Sequence, residues 1–507
     1  MTYVPISDEH LVAGSDLVVI GRVEHVDGAR LTDGRIVTRS EIEVEEALKG
    51  AVDGSRILVT EAGGRVDGLE LRIPGMPEFR PGERTLVFLR ARGDGTLGTT
   101  ALSLAKYDLP ADRPDVAERR VPGADARSLS TFRTRIRALA RGSQRRVTDG
   151  FAGPRPADVG FAVSGFNLAG SPDCDPTTGA ACSATRWFEA PCGQAIVYSR
   201  SGSDPALGAA ASAAALDGAL AAWSSVSGAY LQLVAGPEVA PSPSWIGIPD
   251  LGEALVHADD RNVVQFGDPF EVVPDLIACE GVLALGGTLS VDTVTVEQGP
   301  VTFERTLEGD IVVNQDFGAC LSETALAETV THEIGHTLGF GHSSENPSEA
   351  DPTLRDATMY YLLHDDGRGA ALAADDEAAV RFAYPPPPPA TPEAESLRQA
   401  SCFLASDLWA SPCFVDQLAR GGFPAAPIRK FRKAAKLARK AAASFSAKKQ
   451  VKLLKKADKQ LDRSAAKLTA LEGKGKVSAA CAEPLISDVA RGRAKVAEAS
   501  AMAAGTL

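Results

Sequence analysis

The sequence contains no run of about 18 apolar residues, so no stretch reads as a bilayer-spanning helix. Its first ten residues, M-T-Y-V-P-I-S-D-E-H, have neither a basic segment nor an apolar core and do not read as a secretory signal. None of its eight cysteines (Cys174, Cys182, Cys192, Cys279, Cys320, Cys402, Cys413, Cys481) forms a C-x-x-C pair. Even in number and scattered near loop signals, they point to disulfides made in an oxidising compartment. The consistent expectation is a secreted or extracytoplasmic protein whose signal has been removed. The net charge of −13 favours solubility and argues against nucleic acid as the partner of the whole chain. Histidine is scarce at seven, yet three lie between positions 332 and 342.

At 507 residues the chain is too long for one core, and about three domains are expected. Residues 1–110 read as a small all-β barrel or sandwich. Branched and alternating runs at Asp16–Val23, Ile36–Val44, Arg56–Thr60 and Thr85–Leu89 are separated by glycine and proline turns. No catalytic grouping is visible there: His10 and His25 read as ordinary surface or core residues, and the domain could bind a partner, occlude a neighbour or only stabilise. Residues 111–160, rich in Pro, Arg, Gly and Asp, read as a linker holding one basic helix near 128–140. A third region follows from about Phe161 to Tyr384. It includes an alanine-rich helix between Asp204 and Val226, and strands at 194–198, 263–266, 287–296 and 310–314.

Within it, Thr331 to Ser343 reads T-H-E-I-G-H-T-L-G-F-G-H-S. On a helix, residues four apart share a face, so His332 and His336 can hold one metal ion, with Glu333 beside it as a base rather than a ligand. A catalytic zinc needs three protein ligands and one open position. His342 is the third candidate. It can return to the site only if the helix ends, and Gly339 permits that turn.

The pattern H-E-x-x-H-x-x-G-x-x-H resembles that of the metzincin metalloproteases, and Ser343 after the third histidine resembles the matrixin branch. The resemblance implies a methionine turn under the metal, for which Met359 in A-T-M-Y-Y is the candidate, and a closing helix at A-A-D-D-E-A-A-V-R-F-A-Y (373–384). It implies a fold as well: an α+β metzincin-like (zincin) domain over 161–384, with a twisted mixed sheet and an active-site helix. It further implies that the strand at 310–314 lies along the cleft and pairs with substrate. Tyr361, two places after Met359, has the spacing of a metal-proximal tyrosine in astacin-like and serralysin-like relatives, where it would help hold an oxyanion. Packing or solvent contact is the plain alternative.

Two departures from matrixins stand out. His257-Ala258-Asp259 has the form of a structural-zinc pair, but its companion histidines are missing, so an exposed loop is the default. Cys192, in A-P-C-G, lies inside the catalytic region and suits a disulfide better than a zinc-blocking thiolate. Calcium could bind the acidic loop Asp259-Asp260-Arg261-Asn262 with Asp268 through oxygen ligands.

After Tyr384, residues 385–400 begin with a polyproline run expected to act as a stiff spacer. Residues 401–507 read as an all-α unit of three helices, with Cys402 or Cys413 tied to Cys481. Its lysine- and arginine-rich faces suit plain solvation, or attachment to an anionic surface or polymer. The chain is therefore expected to be a multidomain zinc endopeptidase acting on extended protein or peptide. The alternatives are a catalytically silent metzincin shell used for binding, and a zinc hydrolase of non-peptide substrates.

Overall fold

The computed structural model describes residues 2–31, 36–52, 54–66, 68–92, 95–119, 125–141, 168, 182–241, 261–270, 272–346, 348–386, 392–405, 425–477 and 479–505. They form two sheets and a bundle of helices.

In the first sheet, strands Arg84–Ala91, Leu17–Arg30, Ile36–Lys49 and Arg56–Ala62 pair in that order. Leu97–Thr99 pairs with both the first and the last of them, which closes a small barrel. Side chains alternate across each strand. Leu17, Val19, Ile42, Val59, Val87 and Leu89 fill one cluster, while Val18, Ile20, Leu86 and Phe88 face another.

The expected linker start at 111 is corrected. Strands Val116–Arg119 and Asp125–Ser128 continue this sheet, and helix Leu129–Ala140 packs Phe132 against Phe88 and Tyr107. Leu129, Phe132 and Ile136 give the helix a buried stripe at helical spacing, which the polar composition around it obscures.

The central sheet runs Leu233–Ala235, Ile196–Ser201, Asn262–Gln265, Val301–Val313, Gly281–Gln298. The first four strands are parallel and the last is antiparallel. The expectation that 310–314 lines a cleft is corrected, because this strand is internal. Ile311 pairs with Val264 on one side and Gly286 on the other. The two long strands form one hairpin, and chain order alone does not say which limb lies outermost. That limb is Gly281–Gln298. Its outer edge pairs with residues from the first part of the chain: Thr2–Val4 along 281–284, and the hairpin strand Leu69–Arg72 along 288–291.

Helices Gly208–Ser224 and Glu323–Thr337 pack together in the core of the central unit. Trp223 Nε1–H donates to Thr331 O at 2.8 Å, and Trp187 Nε1–H to Thr337 O at 2.9 Å. The first and central units also share a core: one cluster joins Tyr3, Leu11 and Phe132 with Val282, Leu285, Val312 and Tyr361.

Among the described residues the C-terminal unit has four helices, Pro392–Ala405, Ala425–Ala442, Ala447–Glu472 and Ala479–Ala503, rather than three. The extra helix starts inside the expected 385–400 spacer. Nor is the bundle held away from the central unit, because Cys402 on that helix is bonded to Cys192, 210 residues earlier. The expected partner of Cys402, Cys481, is thereby corrected; Cys413 and the Cys481 side chain lie outside the described residues. A second disulfide, Cys279–Cys320, ties the start of the edge strand to the segment that leads into helix Glu323–Thr337. Arg432, Lys433, Lys436 and Arg439 are exposed while Phe431, Ala434 and Ala438 are buried, so the basic face is the solvated one. No helix among the described residues is long and apolar enough to cross a membrane.

Replacing both Cys192 and Cys402 by serine frees a long loop in the unfolded chain. It is expected to cost about 2–4 kcal/mol, read as an earlier denaturant midpoint and as easier proteolytic release of the bundle. An unchanged midpoint would show that apolar docking alone holds the bundle.

Candidate metal centre

Helix Glu323–Thr337 begins with Ser322, whose hydroxyl accepts Ala325 N–H at 3.2 Å, and with the acid Glu323 in its first turn. It ends where Gly339 adopts φ +94°. Phe340 N–H then bonds back to Gly335 O at 3.0 Å, closing the left-handed turn. A side chain at 339 would place its Cβ 2.0 Å from Thr185 O, so glycine is required by both backbone angle and space. The turn swings His342 back onto the helix. The ring centroids of His332, His336 and His342 lie 4.7, 4.9 and 5.1 Å apart.

The outer nitrogens of the three rings are all engaged. His332 Nδ1 lies 2.7 Å from Thr358 O, His336 Nδ1 lies 2.8 Å from Phe340 O, and His342 Nδ1 bonds to a carboxylate oxygen of Glu345. Each of these oxygens can only accept, so each Nδ1 carries the hydrogen and each Nε2 presents a lone pair. Burial holds His332 and His336 well below the ordinary histidine pKa, hence neutral. The Nε2 atoms of His332 and His336 are 3.0 Å apart. Two lone pairs at that separation repel unless a cation lies between them. Two imidazoles bound tetrahedrally to zinc at about 2.05 Å would stand about 3.3 Å apart. The three histidines thus fit a metal ion: His332 and His336 are neutral, and all three rings are preoriented and fixed from behind by carbonyl and carboxylate acceptors. They are the one group of this kind among the described residues.

Glu333 is fully buried beside them. Its Oε1 accepts from both the backbone N–H and the hydroxyl of Thr2, each at 2.7 Å. Met359 sits under the helix, and a Cβ on Gly335 would lie 2.2 Å from its sulfur. The turn bearing Met359 is tied to the site at both ends. Ser343 N–H donates to Met359 O at 2.9 Å, and Thr358 O is the acceptor for His332.

Sequence reasoning assigned no role to Asp376, which organises this turn. Its carboxylate accepts from Thr358 N–H (2.8 Å), Met359 N–H (2.9 Å) and Ala373 N–H (2.8 Å). Burial pushes the Asp376 carboxyl up, and the three N–H bonds work against that rise. Sequence offers only an acid in the first turn of the closing helix, which helix-dipole chemistry already explains. Glu345 and Thr2 were missed as well.

Tyr361 is buried with its ring 5.4 Å from Tyr3 and 4.8 Å from Tyr360. Of the expected calcium ligands, Asn262 spends its amide on Val197 O and Gly309 N–H, and Asp268 accepts from Val272 N–H and Val273 N–H to hold a turn. His257, Asp259 and Asp260 lie outside the described residues, and Cys192 is in a disulfide.

Beyond the turn, His364 clamps the segment that follows Met359 to the metal-site helix. Its Nδ1 lies 2.6 Å from Glu328 Oε1 and its Nε2 lies 2.7 Å from Arg355 O. Burial alone would lower its pKa, but these two acceptors raise it above the usual value.

Asp376→Ala should weaken the binding of a divalent metal ion by about 10–100-fold in a chelator competition while leaving most of the helix content in place. A group whose folded pKa is raised stabilises at low pH and loses that contribution as pH rises through the folded value. The melting-temperature gap between wild type and His364→Gln should therefore be wider at pH 6 than at pH 9; an equal gap would show that the clamp does not depend on the proton. The chain matches no protein-family model and no curated protein sequence.

Proposed function

We propose that the chain is a zinc-dependent endopeptidase of metzincin, matrixin-like type, acting on extended protein or peptide chains. The observation that carries this reading is the convergence of three buried imidazoles beside the buried carboxylate of Glu333, all set by one helix and its glycine turn. The antiparallel strand Gly281–Gln298 lies beside the metal-site helix, and its far edge already accepts the added strands Thr2–Val4 and Leu69–Arg72, which supports an extended substrate that pairs along that edge.

Bound by His332, His336 and His342, zinc would lower the pKa of a water and polarise the scissile carbonyl. Glu333 Oε1 takes the proton of the attacking water and delivers it to the departing amine nitrogen. Met359 and Asp376 touch neither substrate nor proton; they hold the floor on which His332 is oriented. A silent binding shell would need the three histidines but not a carboxylate at position 333. The two disulfides among the described residues support an extracytoplasmic setting.

Glu333→Ala tests the assignment. Both proteins should hold about one zinc each, and the variant should lose at least about 100-fold in cleavage of an unfolded protein such as casein, the range for a lost general base. A variant that cuts as fast as wild type would remove Glu333 from the chemistry; a protein without zinc would remove the metal-centre reading.

A further inference from the structure

The N-terminal strand is the most unusual occupant of this molecule. Thr2 and Tyr3 are 2% and 3% exposed, although nothing in T-Y-V-P-I-S marks a core segment. The strand lies in the cleft between two walls. On one side it pairs antiparallel with the edge strand, Thr2 opposite Ala284, Tyr3 opposite Val282 and Val4 opposite Gly281. On the other side Tyr3 bridges in parallel to Leu362, three residues after Met359, and its ring packs at a tilt against Tyr361. At its head, Thr2 gives two hydrogen bonds to the carboxylate assigned as general base.

The strand is firmly anchored behind. Ser7 N–H donates to Glu280 Oε2 at 2.7 Å and caps helix Asp8–Ala13, and His10 Nδ1 meets the same oxygen at 2.8 Å. Asp8 pairs with Arg127 and Arg135 on the far side of the first unit. A second element of the first unit covers the rest of the same edge, where Leu69–Arg72 pairs with Val291–Thr288. Between them the two segments take ladder positions at 281–284 and 288–291 that an added substrate strand would use.

We propose that residues Thr2–Val4 are a tethered inhibitor of the cleft, and that the enzyme is latent until this strand leaves. The inference rests on the peptidase reading and supplies its regulation. The device needs no thiolate: it combines a backbone ladder, which any extended peptide can make, with engagement of Glu333 by the Thr2 N–H and hydroxyl. Both hydrogen bonds fall on Glu333 Oε1, so Thr2 stands where an attacking water would have to meet the base. Release requires either a competing strand or cleavage of the chain between the plug and its anchors.

The test uses the full-length zinc-loaded protein and its Thr2→Glu variant, in which a second carboxylate is driven against Glu333. Two readouts are taken: cleavage of a quenched, unstructured peptide, and amide hydrogen exchange over residues 2–4 and 281–284. The plug predicts slow exchange and little cleavage in wild type, and in the variant faster exchange over both segments with at least a tenfold gain in cleavage. Faster exchange with no gain over an already active wild type would overturn latency alone. Faster exchange with no cleavage by either protein would overturn the peptidase reading on which latency rests. Should Thr2→Glu fold poorly, Tyr3→Ala removes the ring that packs on Tyr361 and must give the same pair of changes; unchanged exchange and cleavage in it overturn the proposal.

Discussion

The structure depends on one electrostatic constraint, three imidazole lone pairs aimed at a common point inside a core. Uncompensated, such an arrangement is repulsive, and burial makes it worse because no water can intervene. It persists because every ring is held from behind, by Thr358 O, Phe340 O and Glu345. Those acceptors are held in turn: Thr358 and Met359 by Asp376, Phe340 by its bond to Gly335 O, and the returning loop by Ser343 N–H on Met359 O. Strain of this kind is resolved by a cation, which makes metal affinity and local folding aspects of the same free energy.

The same economy of position explains the neighbouring parts. A helix that presents two histidines and a carboxylate to one side must pack its other side, and Trp223, Trp187 and Tyr384 do this by hydrogen-bonding carbonyls of the helix and its C-terminus. The antiparallel edge strand next to the helix is open by construction, and an open edge inside a folded chain invites pairing. Here the first unit supplies the pairing from two directions. The shared cluster that joins Tyr3 and Phe132 to Val312 and Tyr361 makes the first unit a structural partner of the site rather than a separate module. The disulfide from Cys192 to Cys402 similarly joins the helical bundle to the central unit, so the polyproline segment does not set their separation.

What could be read from the sequence was what local geometry dictates. The spacing of His332, Glu333 and His336, the need for glycine at 339 and the later Met359 all follow from helix pitch and the left-handed turn, and the structure brings these residues together as that geometry requires. The stripes of the C-terminal helices and the short strands of the barrel were legible for the same reason: periods of 3.6 and 2 are written along the chain. What tertiary structure alone decided is everything that joins distant positions. Sequence order cannot say that Gly281–Gln298 lies outside Val301–Val313, that Cys402 meets Cys192, or that Leu129–Ala140 closes the first unit instead of linking it. Least of all could it place Thr2 on Glu333, 331 residues away, since an edge ladder is made by backbone groups that every residue carries alike.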